Sequence, residues 1–143
     1  MREMSRYQMN VAVVTSSLRM RSGKDSPEAE AARVWKKFSE TKQEPVKMAT
    51  ALWGFFLKDG VDPEQRTAYA EYLKPRIRNA VETLIEEDEP DKIEVLEQAG
   101  WFGQKEVEDF IRTARERQKL QALVYLMKLK DTRYGYQEEE WEL

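Results

Sequence analysis

Residues 91–133, DKIEVLEQAG-WFGQ-KEVEDFIRTARERQ-KLQALVYLMKLKDTR, are the stretch whose reading decides the fold. Ile93, Leu96 and Ala99 recur at helical spacing and stop at Gly100. Val107, Phe110, Ile111 and Ala114 mark a second helix with one apolar face. Leu120, Leu123, Val124, Met127 and Leu129 mark a third, apolar nearly all round, which is expected to be the central helix. The turns between them are very short, so neighbouring helices pack antiparallel. The expected fold class is all-α, with about six to seven helices in a compact bundle or a short helical-repeat stack.

Composition bounds the rest. A chain of 143 residues has room for one domain with a real core. Its 41% hydrophobic content is enough to fold, and its 36% charged residues describe a soluble surface with a net charge of -3. There is no Cys and no His. That excludes thiolate and imidazole metal sites, disulfides, cysteine nucleophiles and serine–histidine triads, and leaves open carboxylate-only sites for Mg²⁺ or Ca²⁺. Neither a cofactor nor a metal is expected, and the chain is not expected to be an enzyme. No apolar run approaches the ~20 residues needed to span a bilayer. The N-terminus lacks a charged-then-apolar signal pattern, so a cytoplasmic location is expected. The organisation expected is one all-helical domain over residues 1–136, with an N-terminal helical arm over 1–22. An acidic tail, 137–143, has no apolar periodicity and is expected to be disordered.

In chain order, Met4, Tyr7, Val11, Val14 and Leu18 form an a/d seam that predicts a first helix. A strand through residues 9–14 competes with it, because Val favours strands. Ser26-Pro27-Glu28 is a helix start, and Ala31, Val34, Trp35 and Phe38 give that helix its buried face. Pro45 restarts the chain for a helix with Val46, Ala49, Leu52, Trp53, Phe56 and Leu57 inward. Asp62-Pro63-Glu64-Gln65 repeats the start signal with a capping box. Pro75 then interrupts a helical pattern that runs on to Leu84.

A shift of 30 residues lays Ile77, Ala80, Val81, Leu84, Ile93 and Leu96 on Val107, Phe110, Ile111, Ala114, Leu123 and Leu126. Thr83 falls on Thr113 and Glu86 on Glu116. Pro75 falls on Lys105 at a helix start, so a break is expected there. The helix ending in Ala99-Gly100, the helix containing Ala114 and the closing ALVYLMKLKDTRYG make residues 92–135 resemble a known kind of repeat. These are the short, loosely ankyrin-like helix-turn-helix repeats of uncharacterised gut Firmicutes proteins. The chain departs from them at Trp101-Phe102, where a smaller residue is usual. The resemblance brings no activity and no functional residues, and implies only an interaction scaffold.

Candidate sites are few. The acidic run from Glu86 to Glu97 lacks the spacing of a calcium loop and reads as a solvated turn. Carboxylates four apart, such as Glu82 and Glu86, serve acid–base chemistry only inside a cleft. Lys74, Arg76 and Arg78 form one basic group. A larger one spans 112–133, where Arg112, Arg115 and Lys119 are the candidate nucleic-acid contacts. Trp101 and Phe102 in a turn, with Tyr134, Tyr136 and Trp141 near the C-terminus, are the candidate protein-binding aromatics. The expected function is a non-enzymatic helical protein–protein interaction module or adaptor. The alternative is a small nucleic-acid-associated protein, of the kind mobile elements carry, using the basic face of the last two helices. The partner expected is another protein, with nucleic acid less favoured and no membrane, and the chain itself is a monomer or small homo-oligomer.

Overall fold

The computed structural model describes residues 4–135, and every regular element among them is helical. The α-helices are α1 (Arg6–Arg21), α2 (Pro27–Glu40), α3 (Glu44–Phe56), α4 (Pro63–Leu73), α5 (Ile77–Glu86), α6 (Pro90–Gln98), α7 (Gln104–Glu116) and α8 (Leu120–Leu129). At Pro75 the expected break is a single 3₁₀ turn, Lys74–Arg76, with right-handed helical backbone on either side. Proline removes one ladder hydrogen bond, and the tighter turn absorbs that loss without ending the run. Counting α4 and α5 as one run gives seven helical stretches, within the range expected. Residues 9–14, where a strand competed, lie inside α1.

Contacts gather into two compact units that divide between Ala80 and Val81. In the N-terminal unit α3 is the central helix, packed against α1, α2 and α4. Met48, Ala49, Ala51 and Leu52 are its buried side chains. The predicted seam of α1 faces inward: Val11 is fully buried, and Tyr7, Val14 and Leu18 are half-buried. The segment read as an arm is therefore laid along α3 of its own chain. Of the aromatics predicted inward, Phe38 is buried, while Trp35, Trp53 and Phe56 are half-buried.

The predicted helix starts are built as read. Ser26 Oγ accepts the Ala29 N–H at 3.1 Å, with Pro27 in the first turn. The Asp62 N–H donates to Gln65 Oε1 at 3.2 Å in a capping box. Two long cations close helix C-termini: Lys47 Nζ donates to the Phe38 carbonyl at 2.8 Å, and Arg66 donates to those of Phe55 and Leu57. Each takes carbonyls that the helix leaves without a partner. Glu30 is buried, and its carboxylate accepts the Trp53 Nε1–H at 2.9 Å, tying α2 to α3.

Tyrosines carry much of this core. Tyr69 is fully buried, edge-on to Phe38 at 4.9 Å and to Trp35 at 5.6 Å. Burial pushes its hydroxyl up to about 12 from 10.0. Tyr72 is raised by burial and by the Glu44 carboxylate, to which it donates at 2.6 Å; Tyr7 is raised by burial and the same Glu44. A folded-state pKa above the unfolded value stabilises the fold fully below pH ~10, and the stabilisation is lost as pH rises through the folded value. Stability is therefore expected to fall steeply between pH ~10 and ~12, by about 1.4 kcal/mol per pH unit for Tyr69 alone. Denaturant melts followed with tyrosine absorbance at 295 nm check this. Tyrosine ionisation completed near pH 10 with the helices intact would contradict it.

In the C-terminal unit α8 packs against both α6 and α7. Ile93, Leu96, Val107, Phe110, Ile111, Ala114 and Leu126 are buried there, as the 30-residue comparison predicted. Leu123 is only half-buried. The expectation that α8 is the central helix fails. Its buried side chains are Ala122, Leu126 and Leu129, while Leu120, Val124 and Met127 are 66%, 65% and 45% exposed. An all-round apolar sequence shows that a helix has much to bury and is silent on how many neighbours it has.

Candidate interaction surface

The C-terminal unit is built on a turn that occurs twice. After α5, the Asp88 N–H donates to the Ile85 carbonyl at 2.8 Å and the Glu89 N–H to that of Leu84 at 3.0 Å. After α7, the Gln118 N–H donates to Arg115 at 3.2 Å and the Lys119 N–H to Ala114 at 2.9 Å. Every donor and acceptor is displaced by 30 residues. Asp88 and Gln118 both take positive φ, 55° and 58°, a conformation that usually selects Gly or Asn at this position of a Schellman turn. Thr83 and Thr113, aligned by the same shift, are both buried. The predicted repeat is thus present in the backbone as well as in the apolar spacing.

The two turns are joined through side chains. Asp88 Oδ1 accepts the Ala122 N–H at 2.8 Å, so the first turn caps the N-terminus of α8. Glu86 lies 3.6 Å from Arg117 and 3.5 Å from Lys119. The acidic run read as a solvated turn is therefore partly spent on holding the second repeat to the first. Further along, Glu97 of α6 is buried, and its Oε2 accepts the Tyr134 hydroxyl at 2.9 Å, with Arg133 at 3.5 Å. A turn of π-helix, Lys130–Tyr134, ends α8 and carries these two residues. Beside them Glu94, Tyr125, Lys128 and Thr132 help to line a cleft of about 440 Å³. The Tyr125 hydroxyl is buried there without a hydrogen-bond partner. Burial, then the Glu97 and Glu94 carboxylates, raise its pKa. A carboxylate held by a phenol and a guanidinium is arranged to position helices, and its charge is already compensated.

The candidate protein-binding residues are placed as follows. Phe102 is buried, with its ring edge-on to Phe110 at 5.2 Å. Trp101 is half-buried. The Tyr134 hydroxyl, besides its bond to Glu97, lies 3.7 Å from where a Cβ at Gly103 would stand, so the structure brings it to the Trp101–Gly103 turn. Tyr136 and Trp141 lie outside the described residues. Of the candidate nucleic-acid contacts, Arg112 is paired with Asp109 at 3.0 Å and Lys119 with Glu86, while Arg115 is exposed. The three do not make a set of uncommitted cations.

What sequence reasoning missed is the outer face of α8. Leu120, Val124 and Met127 follow at steps of four and three and share one side of the helix, opposite Leu126 and Leu129. The 30-residue shift would have located it, because it lays Glu97 on Met127. In the first repeat this position is covered by the end of α8 and is 3% exposed; in the second it is 45% exposed. No helix among the described residues is long and apolar enough to cross a membrane. No family model, curated protein or solved structure matches this chain.

Proposed function

We propose that this protein is a non-enzymatic interaction module, and that the outer face of α8 is where it receives a protein partner. The observation that carries this reading is the inequivalence of positions 97 and 127. The same place in the repeat is sealed by the next helix in one copy and open in the other. An open stacking face presenting three large apolar side chains suits an amphipathic helical hairpin, docked in the register that α8 adopts on α6. The resemblance of residues 92–135 to short helical repeats implies a scaffold of the same kind. The nucleic-acid alternative is weakened by the pairing of Arg112 and Lys119 with acids of their own chain.

The test is co-purification from the native host with and without nuclease. The baits are the wild-type chain and a Val124→Asp, Met127→Asp variant. Both changes are at exposed positions, so stability should move by no more than about 0.5 kcal/mol, as circular dichroism would verify. A protein partner is expected to survive nuclease and to be lost from the variant. Material that disappears with nuclease, and with charge reversal at Arg112, Arg115 and Lys119, would replace this reading with the nucleic-acid one.

A further inference from the structure

We propose that the cleft between α1 and α2 is a binding site for a small phosphorylated ligand, an inference independent of the α8 face. The cleft is about 360 Å³, within the range of small-molecule sites. Arg21 enters it from α1, and Arg33, Lys36 and Lys37 enter from α2. Glu40 is the one carboxylate in its lining, so a chain of net charge -3 concentrates positive charge here. Spacing explains the concentration: residues 33, 36 and 37 stand three and four apart and share one face of α2.

Ordinary structural roles account for part of the set. Arg21 ends α1, where a cation offsets the helix dipole, and Arg33 Nη2 donates to Asp25 at 3.1 Å. They leave two things over. Among the described residues Lys36 and Lys37 have no ion-pair partner. The Arg33 Nε–H is buried with no hydrogen-bond acceptor, and buried donors of that kind are rare in native proteins. A phosphate oxygen would satisfy it, with the lysines as flanking point charges. Leu18 and the lysine stems supply an apolar wall for the organic part of the ligand. The cations gather in one cleft and are not strung along a face, which favours a compact anion over a nucleic-acid strand.

Calorimetric titration of the full chain with inorganic pyrophosphate and with inorganic phosphate, in ~150 mM salt where surface attraction is screened, tests this. Pyrophosphate is expected to bind, and Lys36→Gln with Lys37→Gln to weaken it about tenfold or more. Arg33→Met should do the same, and the lysine pair keeps the test decisive if that variant fails to fold. Amide shifts on titration should centre on α2 and the last turn of α1. Equal pyrophosphate binding by the lysine variant, or no binding by the wild type, would overturn the proposal. So would a single-stranded RNA that binds the same residues and displaces pyrophosphate.

Discussion

Gly54→Ala is expected to destabilise the protein by about 3 kcal/mol, at the upper end of what overpacking costs. A Cβ at position 54 would stand 2.3 Å from the Tyr69 ring, a distance no pair of carbon atoms tolerates. One of the two must move. The ring has nowhere to go, because Tyr69 is 1% exposed and wedged against Phe38 and Trp35. Shifting α3 would disturb the helix against which α1, α2 and α4 all pack. Gly54 lies in a helix, where Ala is intrinsically favoured by about 1 kcal/mol, so propensity alone predicts the opposite sign. A chemical denaturation midpoint for the Ala variant at or above that of the wild type would mean that Tyr69 does not rest on Gly54.

Phe110→Ala is expected to cost about 3–5 kcal/mol, and Leu123→Ala less than half as much. Both are apolar positions of the helical pair, and periodicity alone ranks them together. Phe110 is 1% exposed and holds the ring of Phe102 edge-on at 5.2 Å, so its removal leaves a cavity under the α6–α7 turn. Leu123 is half-buried beside the open face of α8, where truncation leaves a notch that water can fill. The check is urea denaturation of both variants. Equal losses would mean that the outer side of α8 is covered after all.

Much of this architecture was legible in the sequence because its signals are local. Ser26 with Pro27, and Asp62 with Gln65, satisfy helix N-termini within a few residues, and both act as read. The seam of α1 was legible for the same reason, even against the strand preference of its valines. Partnership between distant residues was not. Nothing in the spacing of Glu97 marks it as buried, because its burial comes from Tyr134 and Arg133 at the far end of α8. The charges were misread in the same way: Glu86 looked solvated and Lys119 looked available, yet each compensates the other across the repeat. The α1–α2 cleft was overlooked because its cations come from two helices and form no run. The 30-residue shift carried the most information, since it aligns the two positive-φ turns and exposes the difference between Glu97 and Met127.

The most direct measurement of the central claim is photo-crosslinking in the native host, with a photoreactive residue placed at position 124 in one chain and at exposed Glu108 of α7 in another. The account predicts one abundant protein crosslink from position 124, resistant to nuclease and absent from position 108. No protein crosslink from position 124, or equal crosslinking from both positions, would contradict it.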